Sequence, residues 1–283
     1  MAETTRWAGT LTARSSIVHA GQTRGTVTLL RRETVMTPQG PVAIPLVSGN
    51  SWRGRLRRVG EELLRDTLGY EGKIPVAAAH ALRGGGALTK TSGQPMSGAL
   101  LARARAWIPQ LGVFGAAGSG ALVDSCLEVG KVIPEVAETE RITGIPRAIS
   151  AMEATQLESY SRTVDGEAHD FVGVAPMTLD QEGHPVVPEV PGQMAYRVET
   201  FPAGTRFHTW LRLRRPTDLE LAFFVDVLDT WCADGRLGGR AGIGHGLVEA
   251  DLECDQPITG LMDWRTYLRD HQAEVDAALE LIR

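Results

Sequence analysis

Apolar positions along this chain follow two periods. Trp52, Leu56, Val59 and Leu63 fall at i, i+4, i+7 and i+11, a single face of a helix that ends near Gly69. Leu219, Ala222, Phe223, Val227 and Trp231 predict a second amphipathic helix over 218–234. Strict alternation over 207–213 (Phe-His-Thr-Trp-Leu-Arg-Leu) predicts a half-buried strand, and weaker alternation predicts strands over 8–18, 26–30, 42–46, 121–127 and 247–254. A helix is expected over 98–108, broken by 109–115. Another is a candidate near 148–160, and a charged one over 263–282 carries Leu268, Val275, Leu279 and Ile282. Glycines 84–86 and the polar run 89–93 make 70–98 a flexible loop insertion. Residues 128–200 have five prolines before Pro191 and no sustained period, and read as an insertion or protruding hairpin within one domain spanning 1–283. Without the insertion the order is strand–loop–strand–helix–strand, then strand–helix–loop–strand. That is an α+β, ferredoxin-like (RRM-like) antiparallel sheet with helices on one face.

Composition narrows the setting. An apolar fraction of 43% and a charged fraction of 22% are those of a soluble globular chain. No run reaches the length of a membrane span, so no membrane partner is expected. Cys126, Cys232 and Cys254 lie far apart without C-x-x-C spacing, which predicts reduced thiols in the cytoplasm, no metal site and no cofactor. The net charge of −5 hides an asymmetry. Residues 1–58 hold nine arginines against two acids, whereas the remainder holds 20 basic and 32 acidic residues. A basic first fifth on an acidic body suggests one face that meets a polyanion.

The stretch 44–58 concentrates that charge. It reads as a short apolar strand, a turn at Ser48-Gly49-Asn50, and a helix N-capped by Asn50 or Ser51. Arg53, Arg57 and Arg58 border its apolar stripe and Arg55 points away. Free backbone N–H groups and guanidinium groups at a helix start suit a phosphate; the plain alternative is a capped helix with solvated arginines. Loop 19–25 adds His19 and Arg24, and loop 238–246 adds Gly239, Arg240, Gly242, Gly244 and His245. Arg240 is a phosphate candidate there, and His245 a hydrogen-bonding one. No glycine precedes Lys90, so the phosphate-loop pattern fails, and Gly242-Ile243-Gly244 precedes a strand, so the dinucleotide fingerprint fails. Trp52, Trp210 and Trp231 sit on apolar faces and are expected in the core.

Four segments together resemble a known family. Pro45-Leu46-Val47-Ser48-Gly49-Asn50-Ser51-Trp52-Arg53-Gly54-Arg55-Leu56-Arg57 is similar to the "I-P-G-S-S-L-K-G-x-L-R" element of the RAMP proteins that form the backbone of class 1 CRISPR effector complexes. Leu111 to Gly115 resembles that family's "L-F-G" segment, Phe201 to Phe207 its "x-x-P-x-G-x-x-F" strand opening, and Leu237 to Gly246 its "L-G-G-x-x-x-x-G-x-G" loop. The wording Ser-Gly-Asn-Ser-Trp-Arg-Gly most resembles the type IV branch. The resemblance implies a palm domain with thumb and finger insertions, supplied by 128–200 or 70–98. It implies a guide RNA or other single-stranded RNA as ligand, neighbouring copies in a head-to-tail filament, and other effector-complex subunits as partners. The arginine helix and the glycine loop would line the RNA path. The candidate RNA-binding residues are therefore Ser48, Gly49, Asn50, Ser51, Trp52, Arg53, Arg55, Arg57, Arg58, Arg24, His19, Gly239, Arg240, Gly242, Gly244 and His245.

RNA-cutting relatives place an aspartate before the "P-G-S-S" element. Residues 19–47 contain no aspartate and a single acid, Glu33, beside Arg31 and Arg32, so no catalytic residue and no cleavage are expected. The competing reading is an endoribonuclease of the same superfamily that processes guide RNA, with His19 as general base toward a 2′-hydroxyl.

Overall fold

The computed structural model describes residues 3–86, 98–118, 121–162 and 194–282. The polar run 89–93 and residues 163–193 of the expected thumb lie outside the described residues.

In chain order the first strands are β1 (Thr5–Ala13), β2 (Ala20–Arg24), β3 (Val27–Leu30), β4 (Arg32–Thr37) and β5 (Gly40–Pro45). Helices α1 (Gly49–Leu68), α2 (Val76–Gly84), α3 (Gly98–Trp107) and α4 (Pro109–Phe114) follow. Short strands β6 (Ala116–Gly118), β7 (Ala121–Val123), β8 (Leu127–Val129) and β9 (Ile133–Pro134) lead to α5 (Glu140–Thr143). Then come β10 (Gln156–Arg162), β11 (Met194–Thr200), β12 (Arg206–Leu213), α6 (Asp218–Asp234), β13 (Val248–Cys254), α7 (Trp264–Asp270) and α8 (Gln272–Glu280).

The central sheet runs β13-β1-β12-β8, with β9 also on β12, and every pairing in it is antiparallel. With α1 after β1 and α6 after β12, this is the βαββαβ ferredoxin arrangement. Alternation decides which face is buried. Trp7, Leu11, Ala13, Phe207, Leu211, Leu213 and Val248 point inward, whereas Arg6, Arg206, Arg212, Glu249, Asp251 and Glu253 are exposed or half-buried. The inward face meets α6 through Trp7 against Phe224 at 5.3 Å, and α1 and α6 meet each other through Trp52 against Trp231 at 5.2 Å.

A second sheet, β10-β11-β3-β2, stands beside it, parallel only between β11 and β3. The hairpin β4–β5 packs on a small cluster of Ile44, Val136, Ala151 and Ala154 and delivers the chain into α1.

Several boundaries differ from expectation. The first strand ends at Ala13. The break at 109–115 is itself the short helix α4, opened by Pro109 at its first turn and closed by Gly115 at φ 64°. Residues 121–127 divide between the hairpin partner β7 and the sheet strand β8. Where a helix was a candidate near 148–160, Gln156–Arg162 is a strand, because its side chains alternate and its backbone pairs with β11. The C-terminal helix splits at His271, which leaves helical backbone at φ −115°, ψ 34° and joins a ring cluster with Trp107 and Tyr267. Within 70–98 lies α2, and within 128–200 the strands β8 and β9 belong to the central sheet.

Candidate nucleic-acid interface

The start of α1 is fixed by backbone. Val47 and Val132 exchange hydrogen bonds of 3.1 and 2.9 Å, tying the turn to the sheet. Gly49 lies so close to the sheet connection that a Cβ there would stand 2.7 Å from the Val129 carbonyl oxygen and 2.8 Å from that of Gly130. The N-cap is Ser48, neither Asn50 nor Ser51: its extended backbone lets its hydroxyl accept from the Ser51 N–H at 3.3 Å. Asn50 is exposed at the opening of the helix, and Ser51 is half-buried.

The four arginines part company from there. The Arg53 guanidinium donates to the Phe114 carbonyl at 2.6 Å, and Arg57 donates to that same oxygen, to the Gly115 carbonyl at 2.9 Å and to the Ala81 carbonyl at 3.3 Å. Arg57 also lies over the Phe114 ring at 5.6 Å. Among the described residues neither has a carboxylate partner. Burial lowers the Arg53 pKa, and burial together with Arg53 alongside brings that of Arg57 down to about 10. Arg58 is exposed, and its pKa is lowered by partial burial and by Arg55 and Arg83 nearby, against an opposing pull from Glu62. Arg55 points the other way and pairs with Asp234. Trp52 is fully buried against Trp231, so it reaches no ligand; its place in the sequence motif is a core position.

Arg53, Arg57 and Arg58 line one wall of a cleft of about 520 Å³. The end of α2 with Arg83, the end of α4 with Phe114 and Gly115, and the segment Leu122–Ser125 close the rest. The sequence indicated the arginines but not Arg83, Asp124 or Ser125, whose approach depends on chain folding over dozens of residues.

Arg24 is exposed at the end of β2. His19 is half-buried. Burial first, then Arg31, lowers its pKa against an opposing pull from Glu33, and its Nε2 is shielded from solvent with no hydrogen-bond partner among the described residues. Glu33 pairs with Lys131 and lies 3.6 Å from Arg31, and its pKa falls mainly through the Lys131 contact.

Loop 238–246 forms a second locus beside β10 and β11. Its base is closed by Leu237 N–H to Gly246 O at 2.8 Å and by Gly239 N–H to Val18 O at 2.8 Å. Gly239, Gly242 and Gly244 are exposed. His245 is buried, which removes it from the ligand-facing set: its Nδ1 meets the Ser16 hydroxyl at 3.1 Å, and its Nε2 meets the Tyr160 hydroxyl. Tyr160 spends its single hydrogen on Glu158 at 2.7 Å, so it accepts from an Nε2–H of His245. Tyr160 and Tyr196 are cross-strand partners with rings stacked at 5.3 Å, and the Arg240 guanidinium lies 5.3 Å from the Tyr196 ring centre. These tyrosines were not singled out from the sequence; the alternation around Tyr196 (Tyr-Arg-Val-Glu) was the available signal. Among the described residues no group of His, Cys, Asp and Glu could hold a metal, and no helix is long and apolar enough to cross a membrane.

No protein-family model matches the sequence, and no curated protein does. Among solved structures, the chain is similar to one described as "Type IV-B CRISPR Complex", at 31% identity over 91% of this chain and 94% of that chain, with a TM-score of 0.62.

Proposed function

Since the chain belongs to the family of that type IV-B CRISPR complex component, we propose that it is a non-nucleolytic, RNA-binding backbone subunit working in the cytoplasm. In this reading it holds the phosphates of a guide RNA in the arginine cleft. It stacks head to tail with neighbouring copies and meets the other subunits of the complex.

The observation that carries the reading is the pairing of Arg53 and Arg57. Two partly desolvated guanidiniums sit side by side, and their hydrogen-bond acceptors are neutral carbonyls. A desolvated charge without a counter-charge is costly, and a phosphate diester entering the cleft offsets that cost. Arg58 at the rim adds a third positive charge. Strand tracking without base preference needs this kind of charge-lined groove. The absence of cleavage is part of the proposal: Glu33 is engaged by two cations, and the Nε2 of His19 faces no acid or base partner among the described residues.

The test replaces Arg53, Arg57 and Arg58 together by glutamine, which keeps a donor for the carbonyls and removes the charge. The purified wild-type protein should carry RNA and run as multimers, seen as a high ratio of absorbance at 260 to 280 nm at large mass. The folded variant should lose RNA affinity by roughly tenfold or more at physiological salt. Unchanged RNA content in a variant with an unchanged circular dichroism spectrum would put the RNA elsewhere.

A further inference from the structure

The glycine loop carries a feature that phosphate binding does not explain. Arg240 adopts φ 61°, ψ 31°, left-handed backbone that a side chain other than Asn or Gly enters at a cost of about 1 kcal/mol or more. Its neighbours Gly238, Gly239, Gly242 and Gly244 could each take that conformation freely, yet the strained position holds an arginine. The loop is held in place from beneath, by His245 bonded to Ser16 and Tyr160, and by backbone bonds from Ile243 and Gly244 N–H to Arg240 and Ala241 O, both at 3.1 Å. So held, the guanidinium covers the Tyr196 ring, which itself stacks on Tyr160. It has no carboxylate partner among the described residues.

A charge seeking only a phosphate has no need of an aromatic floor. A guanidinium plane laid over a ring offers its other side as a flat, electron-poor surface, and nucleobases stack on such planes. We propose that Arg240, seated on Tyr196 and Tyr160, is a nucleobase-stacking platform that takes one base of the bound RNA strand. This rests on the RNA-binding reading and assigns it a base contact distinct from the phosphate cleft. Stacking tolerates every base, so the platform adds affinity without sequence preference.

Binding to a labelled single-stranded RNA oligomer and to an abasic oligomer of equal length separates the possibilities. Arg240→Gly relieves the backbone strain and should keep the fold. It should weaken binding to the RNA by about tenfold, the loss of one stacked base. Arg240→Lys keeps the charge and loses the plane, so it should weaken RNA binding nearly as much. Both variants should bind the abasic oligomer within about twofold of wild type, because phosphate contacts follow charge count in the cleft. Arg240→Lys binding RNA like wild type, or Arg240→Gly losing as much affinity for the abasic oligomer, would overturn the platform and leave the phosphate cleft standing. Wild-type protein that binds neither oligomer would overturn both.

Discussion

The arginine cleft and the glycine loop solve one problem in two ways. Each holds a guanidinium that lacks a carboxylate partner among the described residues. Among the described residues many other arginines pair with an acid: Arg32 with Glu199, Arg105 with Glu220, and both Arg147 and Arg206 with Glu135. In the cleft, Arg53 and Arg57 are half-buried and anchored to the carbonyls that end α4, so the fold itself depends on them. On the loop, Arg240 rests on an aromatic ring and strained backbone, and no hydrogen bond ties its guanidinium to the described residues. The cleft therefore combines charge with structure, whereas the loop offers a plane.

The sharpest break of that comparison is a stability measurement. Arg57→Met should destabilise the protein by about 2 kcal/mol, because the Phe114 and Gly115 carbonyls lose a charged donor and the methionine cannot replace it. Arg240→Gly should be neutral or slightly stabilising, since glycine accepts φ 61° without strain. Urea titrations of both variants decide the matter. Equal, negligible changes would mean that Arg57 is a solvated surface charge.

That structural share of the arginines was not visible in the sequence, and the reason is distance along the chain. Arg53 lies 61 residues from the carbonyl it caps and Arg55 179 residues from Asp234. Local pattern does report what local physics sets. The stripes Trp52–Leu63 and Leu219–Trp231 located α1 and α6 because each helix buries one face, and alternation located β12 because its sheet buries one side. Glycine spacing located the 238–246 loop. The candidate helix near 148–160 was misread because the few apolar residues there pack on a satellite cluster too small to impose a period, and β10 is held by its pairing with β11. Trp52 satisfied a sequence motif and a helical stripe at once, and burial decided between them.

The next measurement separates charge from plane. Arg58 is exposed at the cleft rim, so Arg58→Gln should leave stability nearly unchanged and lower the slope of log affinity against log salt by about 0.7, one phosphate's share on a single strand. Arg240→Lys should leave that slope unaltered while weakening binding. If the Arg240 substitution alters the slope and the Arg58 substitution does not, the two regions have exchanged roles.

The smallest effect concerns what holds the loop in place. Glu158 receives hydrogen bonds from Tyr160, Thr200 and Gln156, and also from Ser16. Its partial burial pushes its pKa upward, but those donors outweigh burial and bring the carboxyl down to about 2 from the ordinary 4.5. A carboxylate whose folded pKa is depressed stabilises the fold fully above its unfolded pKa, and that contribution fades as pH falls from about 4.5 toward 2. Glu158→Gln should therefore unfold at lower urea than wild type at pH 7, with the gap narrowing below about pH 4.5 and closing only as pH approaches 2. Among the described residues Arg57 bonds carbonyls and no carboxylate, so the gap between wild type and Arg57→Met should stay constant over the same range. A Glu158→Gln deficit independent of pH would show that the carboxylate's charge does not hold Tyr160 and the loop beneath Arg240.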